Sequence, residues 1–352
     1  MRGRGDRLAA GLGEHELDLM LVTELVNVRY LSGFTGTNGA CVCGPDTRLF
    51  LTDFRYTERA AAEVEGWEAI TVKDDWLGGI ASHLNGRFGF EDDHVSVRLL
   101  ERLRGKLAEG AEPVAAGGAV EKLRRVKDEG ELAAIAAASE LADEVWRWSI
   151  ERGLGGRSER DVARTAEARI RELGGDPSFP AIVAAGPNGA LPHAEPAERE
   201  IGEGELVVFD MGAKLDGYCS DGTRTFAVGE PGERARDVYE TVRSAQAAAL
   251  EAVSAGIGGE ALDAVAREAI AAAGHGERFG HGLGHGVGLE VHEAPRLSPR
   301  SEDVLAASEV VTIEPGVYVP DELGVRIEDL VVIDGDGCRN LSGLPKELQS
   351  VT

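Results

Sequence analysis

Cysteine is scarce in this chain, with four in 352 residues, and Cys41, Cys43, Cys219 and Cys338 are scattered. That scarcity excludes a disulfide scaffold and predicts a reducing, cytoplasmic compartment. Cys41-Val42-Cys43 has the alternation of a strand and lacks the second cysteine pair of a zinc motif. Long apolar runs are also missing, although 43% of the residues are hydrophobic, so no segment reads as a membrane span. The N-terminal arginines are followed by Glu14, Glu16 and Asp18, which break any apolar core of a signal peptide. Positive charge is in short supply. The formal net charge is −25, and Lys73, Lys106, Lys122, Lys127, Lys214 and Lys346 are the lysines. Nucleic acid and anionic membrane both demand a basic face, so neither is an expected partner. No GxGxxG and no P-loop lysine accompanies the glycine-rich run Gly33 to Gly39, which therefore reads as turns.

What is present fits two domains, the usual outcome at this length. Residues 1–118 alternate short β and helical runs. Leu17–Thr23 reads as a buried strand, and Ala40–Cys43 with Arg48–Thr52 as a hairpin around Gly44-Pro45-Asp46. Arg55–Glu65 has a helical pattern, and Trp67–Val72, Arg87–Phe90 and Val95–Lys106 complete an α/β pattern. Ala115 to Ala119 reads as the joint between the domains. One long helix is expected from Val120 to about Arg152, another over Ser158–Leu173, and two alanine-rich ones over Arg234–Ala255 and Glu260–Gly274. His193 falls in a loop punctuated by proline and glycine.

Three constellations carry chemistry. Val207 to Val228 reads as a hairpin turning at Lys214-Leu215-Asp216-Gly217, since Asp-Gly between apolar runs is a strong turn signal. Centred between Leu215 and Asp216, it sets Asp210 opposite Asp221, a like-charge pair that destabilises a sheet unless a cation intervenes. His281, His285 and His292 crowd a glycine-rich run. Val310–Tyr318 and Gly324–Val332 form a second hairpin with Glu314 roughly opposite Glu328, again costly without a cation. Four carboxylates and His285 suit two divalent ions about 3.5–4 Å apart, which activate a water and polarise a carbonyl. Oxygen-rich donors favour Mn²⁺-like or Co²⁺-like ions over a thiolate zinc site.

These motifs resemble the pita-bread metallopeptidases: prolidases, Xaa-Pro aminopeptidases, methionine aminopeptidases and creatinase. The resemblance rests on Asp210-Met-Gly, Gly217 to Phe226, His281 to Glu293, Thr312-Ile-Glu314-Pro-Gly and Val325-Arg-Ile-Glu328-Asp, in order and spacing. Asn27–Gly39 and Leu51–Tyr56 resemble the creatinase-like N-domain, which methionine aminopeptidases generally lack. Creatinase lacks the metal site. The implied fold is α/β (α+β): a creatinase-like domain over 1–118, then a catalytic domain over 119–352 with a curved antiparallel sheet covered by helices. The resemblance makes Asp210, Asp221, His285, Glu314 and Glu328 metal ligands, Asp221 and Glu328 bridging, and Glu314 also the general base. His193 and His292 would contact substrate and stabilise the tetrahedral intermediate. His281 would line the pocket, Arg326 would hold ligand carboxylates, and Arg296 would bind the free carboxylate of a C-terminal proline. Two ions per chain are implied, Mn²⁺ first with Co²⁺ and Zn²⁺ as alternatives. The expected activity is hydrolysis of Xaa-Pro dipeptides. An Xaa-Pro aminopeptidase is the alternative enzyme, and an inactive binding module of the same fold is the non-enzyme alternative. The resemblance also implies a homodimer, with Thr35 to Gly39 reaching the partner's site.

Overall fold

The computed structural model describes residues 3–351. The chain divides into two compact units, Met1–Arg124 and Arg125–Thr352. The first contains α1 (Arg4–Gly11), β1 (Leu19–Val22), α2 (Leu25–Ser32), β2 (Gly39–Gly44), β3 (Thr47–Asp53), α3 (Thr57–Glu63), β4 (Glu68–Val72), α4 (Trp76–Ala81), β5 (Arg87–Phe90), α5 (Val97–Arg104) and β6 (Glu112–Ala115), and α6 (Ala119–Arg125) carries the division. Its strands make one sheet in the order β4-β3-β2-β1-β5-β6. The β2–β3 hairpin forms where the sequence places it, closing at Gly44↔Thr47. Leu19, Leu21, Val42, Leu51 and Phe88 pack against Ile80, Leu84 and Leu103. Each such fully buried side chain contributes about 1.5–3 kcal/mol over leaving it exposed.

The single helix expected over Val120–Arg152 is two. α6 stops at Arg125 and α7 (Glu129–Glu151) begins afresh. Asp128 is the reason. Its side chain accepts from Glu131 N at 2.9 Å, and Glu131 Oε2 accepts from Asp128 N at 3.0 Å. This reciprocal cap satisfies two orphan donors and fixes a new helix start.

The second unit uses one plan twice. α7 and α8 (Glu159–Glu172) precede β7 (Asp176–Pro177), β8 (Ile182–Ala185), β9 (Leu206–Asp210), β10 (Ala213–Leu215), β11 (Tyr218–Cys219) and β12 (Thr223–Val228). Then α9 (Glu233–Ala252) and α10 (Gly259–Ala272) precede β13 (Gly284–Gly286), β14 (Glu293–Leu297), β15 (Val310–Ile313), β16 (Gly316–Val319), β17 (Leu323–Arg326) and β18 (Asp329–Ile333), with β19 (Cys338–Asn340) and β20 (Ser350–Val351) last. In each half the residue before the second helix makes an isolated antiparallel bridge to a later loop, Ser158↔Glu200 and Gly258↔Val304. Val145, Trp146, Val162 and Ile170 cover Val183, Val207, Phe209 and Phe226. Val238, Val242, Leu262 and Ile270 cover Val311, Ile313, Val325 and Val331. The sheet residues form nearly continuous apolar runs, as expected of strands buried on both faces.

Each half ends in a hairpin whose ladder divides partway. β9 and β12 stay in one sheet with β8 and β20, while the tip β10–β11 joins β7. β15 and β18 stay in a five-stranded sheet, while the tip β16–β17 pairs by itself. The acidic residues sit at these divisions.

Candidate metal centre

The first hairpin corrects the register expected from the sequence. Its turn is the two residues Asp216 and Gly217, with φ of 46° and 82°, and Leu215 pairs with Tyr218. Two successive positive φ values match the twist of the flanking strands, which is why Asp-Gly is favoured there. The centre therefore lies one residue further on than Leu215/Asp216. Asp210 pairs with Thr223. Met211 N donates to Gly222 O and Ser220 N to Ala213 O, so the same register puts Asp221 across from Gly212. A Cβ on Gly212 would lie 1.9 Å from Ser220 O, so no larger residue fits there. The two aspartates are diagonal neighbours on one face rather than a direct pair.

The second hairpin keeps its expected register. Ile313 pairs with Asp329 below the division and Gly316 with Arg326 above it, which leaves Glu314 and Glu328 facing at the gap. Pro315 supplies no N–H at that point, so the ladder is interrupted there. Glu314 N turns instead to Leu283 O at 2.8 Å, and Glu328 N to Thr223 O at 3.0 Å. The second bond ties one hairpin to the other.

His285 comes from the glycine-rich strand β13. A Cβ on Gly284 would lie 2.0 Å from Thr312 O, so this strand lies too close to its neighbour for a side chain. His285 Nε2 is 3.4 Å from Glu314 Oε1 and 3.6 Å from Asp221 Oδ2. These contacts are not ion pairs, because burial drives the imidazole down to about 3 and keeps it neutral. Its Nδ1 is 3.0 Å from Gly286 O. With Nδ1 donating to that carbonyl, Nε2 carries a free lone pair, the usual arrangement of a ligating histidine.

Asp221, His285 and Glu328 offer ligand atoms within 4.8 Å of one another. Asp210 and Glu314 join them around a cavity of about 510 Å³, along with His193, His281, His292, Arg296 and Arg326. All ten residues expected from the sequence thus line one space. Burial pushes the Asp221 carboxyl well above the usual range, and Asp210 and Glu314 add to the rise. Glu328 is raised in the same way by burial and then by Asp221 and Glu314. Burial also raises Asp210, against the pull of Arg326, and pushes Glu314 up to about 8. Asp210 Oδ1 is buried with no hydrogen-bond partner among the described residues. Crowded carboxylates, a neutral imidazole and an orphaned buried oxygen are the donor set of a divalent-cation site, and these residues fit one.

The other expected residues differ in what they hold. Arg326 Nη2 donates to Asp210 Oδ2 at 2.6 Å, Nε to Thr223 Oγ1 at 3.0 Å, and Nη1 to Tyr318 Oη at 2.9 Å and Pro192 O at 3.2 Å. Its fork is spent on the protein, which supports the reading that it holds a ligand carboxylate. His281 Nε2 is 2.8 Å from Tyr318 Oη, and burial lowers its pKa to about 4. The His292 ring lies 4.4 Å from the His285 ring, at 62°, with its pKa lowered by burial and by Arg296. His193 and Arg296 are exposed at the rim, and Arg296 pairs across the strand with His285.

Sequence reasoning missed Thr223 and Tyr318, as well as the apolar walls Phe179, Ile182 and Leu297. The first two had a signal. Thr223 is two residues from Asp221 and Tyr318 four from Glu314, and even spacing along a strand keeps side chains on one face. The walls had none, because they come from separate segments with ordinary apolar patterns.

Comparison with known proteins adds an independent line. Residues 133–335 match the model of metallopeptidase family M24, and residues 4–126 match the creatinase/prolidase N-terminal domain. The sequence is 36% identical to an Xaa-Pro dipeptidase of Pyrococcus furiosus, covering 99% of this chain and 100% of that one. Among solved structures, an Xaa-Pro dipeptidase from Bacillus anthracis superposes with a TM-score of 0.96 at 36% identity, covering 99% of each chain. An X-Pro aminopeptidase from Thermotoga maritima superposes with a TM-score of 0.92 at 34% identity, covering 99% of this chain and 100% of that one.

Proposed function

The chain belongs to metallopeptidase family M24, and from that premise we propose that it is a two-cation Xaa-Pro dipeptidase of the cytoplasm. The observation that carries the reading is the convergence of Asp210, Asp221, His285, Glu314 and Glu328 on one cavity that also holds three further histidines and Arg296. Asp210 and Asp221 would hold one ion, His285 and Glu314 the other, with Asp221 and Glu328 shared. Mn²⁺ is the proposed metal, with Co²⁺ and Zn²⁺ as alternatives. The ions, when bound, supply charge that polarises the scissile carbonyl and lowers the pKa of a water.

The chain's own groups do the rest. Glu314 accepts the proton of the attacking water at its carboxylate and passes it to the departing amine nitrogen. His193 and His292, at the cavity rim, donate hydrogen bonds to the carbonyl oxygen as it gains negative charge. His281, held neutral, keeps Tyr318 in place. Arg296 presents a planar fork to the terminal carboxylate of the proline. Phe179, Ile182 and Leu297 offer apolar surface to the substrate. The four cysteines are all free thiols, in keeping with a reducing compartment. Among the described residues no helix is long and apolar enough to cross a membrane. The enzyme is further proposed to work as a homodimer.

The test is hydrolysis of Ala-Pro and Ala-Pro-Ala by metal-stripped protein before and after Mn²⁺ addition. Activity on Ala-Pro that depends on Mn²⁺ and exceeds activity on the tripeptide is expected. Full activity without metal would overturn the metal reading. Faster cleavage of Ala-Pro-Ala would favour the second reading, an Xaa-Pro aminopeptidase, which the likeness to the Thermotoga maritima enzyme keeps in view.

A further inference from the structure

Thr223 is fully buried at the first residue of β12. Its hydroxyl lies 2.7 Å from Glu328 Oε2 and 3.0 Å from Arg326 Nε. A guanidinium Nε–H can only donate, so it occupies a lone pair of the hydroxyl. The single hydroxyl proton is then left for the carboxylates, with Glu328 Oε2 at 2.7 Å and Asp210 also within the hydroxyl's reach. The main chain of the same residue also reaches Glu328, accepting from its N–H at 3.0 Å. Arg224 closes the arrangement. Its Nη1 donates to Thr223 O at 2.9 Å and also to Glu328 O, while Nη2 meets the buried carboxylate of Asp329 at 2.7 Å. The backbone of Glu328 is therefore clamped on both sides, and the rotation of its carboxylate is left to one hydroxyl.

We infer that Thr223 is the positioning residue for Glu328: it fixes which carboxylate oxygen turns toward Asp221 and His285. The inference rests on the two-cation reading. Glu328 is proposed to serve both ions, and it is surrounded by other anions that repel it. Without the hydroxyl bond its carboxylate can rotate away from Asp221 and Glu314, relieving repulsion and spoiling the shared site. The same hydroxyl is the acceptor that orients Arg326, whose other arm holds Asp210. One small side chain thus links the ligand carboxylates of the two hairpins.

The experiment is calorimetric titration of Mn²⁺ into the full-length, metal-stripped protein, with no substrate present. Thr223→Val keeps the β-branched shape and removes the hydroxyl, and Thr223→Ala repeats the removal with a different volume. Thr223→Ser restores the donor. The expected result is a loss of Mn²⁺ affinity in the Val and Ala variants within the roughly 10–100-fold range typical of residues that orient metal ligands. Thr223→Ser binds as the wild type does. Because the hydroxyl acts mainly through Glu328 and otherwise through Arg326, adding Thr223→Val to Glu328→Gln brings a smaller loss than adding it to the wild type. Wild-type affinity in both the Val and Ala variants, no recovery in Thr223→Ser, or an undiminished loss on the Glu328→Gln background would each overturn the inference. If the wild type takes up no Mn²⁺, the two-cation reading falls and takes the inference with it.

Discussion

Asp221 is buried, is raised by two neighbouring carboxylates, and receives little help from the protein. Arg326 and then the Gly222 N–H are the groups that pull the other way. Such a residue destabilises the fold unless a cation offsets it. Asp221→Asn should therefore separate stability from function. Mn²⁺ affinity and Ala-Pro hydrolysis should fall by more than the roughly 10–100-fold that outer residues cost. The melting temperature of the metal-stripped variant should equal or exceed that of the stripped wild type. His281 gives a pH prediction of the opposite kind. Burial holds it neutral with a pKa of about 4, against an ordinary 6.5. A depressed folded pKa contributes stability above pH 6.5 that is lost as the pH falls through 4. His281→Gln keeps a polar partner for Tyr318 and removes the titration. As the pH falls from 6.5 to 4, the wild type should lose melting temperature relative to the variant.

The elements show where turn chemistry decides function. The Asp216-Gly217 turn sets the register that brings Asp210 diagonally to Asp221. Inserting one glycine between Asp216 and Gly217 leaves β9 and β12 in a sheet bounded by β8 and β20, so far-ultraviolet circular dichroism should persist. Mn²⁺ binding should be lost first, because the insertion shifts the arm that carries Asp221. At α7, Asp128→Ala removes the reciprocal cap and should lower unfolding free energy by about 1 kcal/mol in a denaturant titration. The same elements show what the sequence made legible. The Glu314/Glu328 register could be read because Asp321 marks the middle of a symmetric loop, and Asp321 has φ of 59°. The Asp210/Asp221 register was misread because a four-residue turn and a two-residue turn share the Asp-Gly signal and differ by one residue in their centre. The α6/α7 break was written as Asp128-x-x-Glu131 and was masked by apolar spacing that runs through it. The proposed ligand residues were legible because carboxylates inside buried strands are costly enough to need a reason. The apolar walls of the cavity were not, since tertiary folding alone brings them together.

For the whole molecule, crowded acids make stability depend on the cation and on pH together. Glu314 has a folded pKa near 8, above its unfolded value near 4.3. Between those values the folded state binds more protons than the unfolded state, so stability falls as pH rises. Above about pH 6.5, where His281 no longer takes up a proton in either state, metal-stripped protein should therefore lose melting temperature up to pH 8. Saturating Mn²⁺ should flatten that decline, and at a hundredfold excess over its dissociation constant should stabilise by about 2.7 kcal/mol. Scanning calorimetry across pH with and without chelator measures both effects. An equal decline with and without metal would show that the ions do not engage Glu314.

The twice-used plan of the second unit has a consequence for how the enzyme comes into being. Asp210 and Asp221 belong to the first copy of the plan, and His285, Glu314 and Glu328 to the second. Neither copy carries a complete donor set, although each carries a helix pair and a divided hairpin of its own. A ribosome that has released only the first copy has released an incomplete donor set and a sheet that still awaits β20. Acquisition of metal during refolding should therefore time the meeting of the two copies, which secondary structure alone would miss.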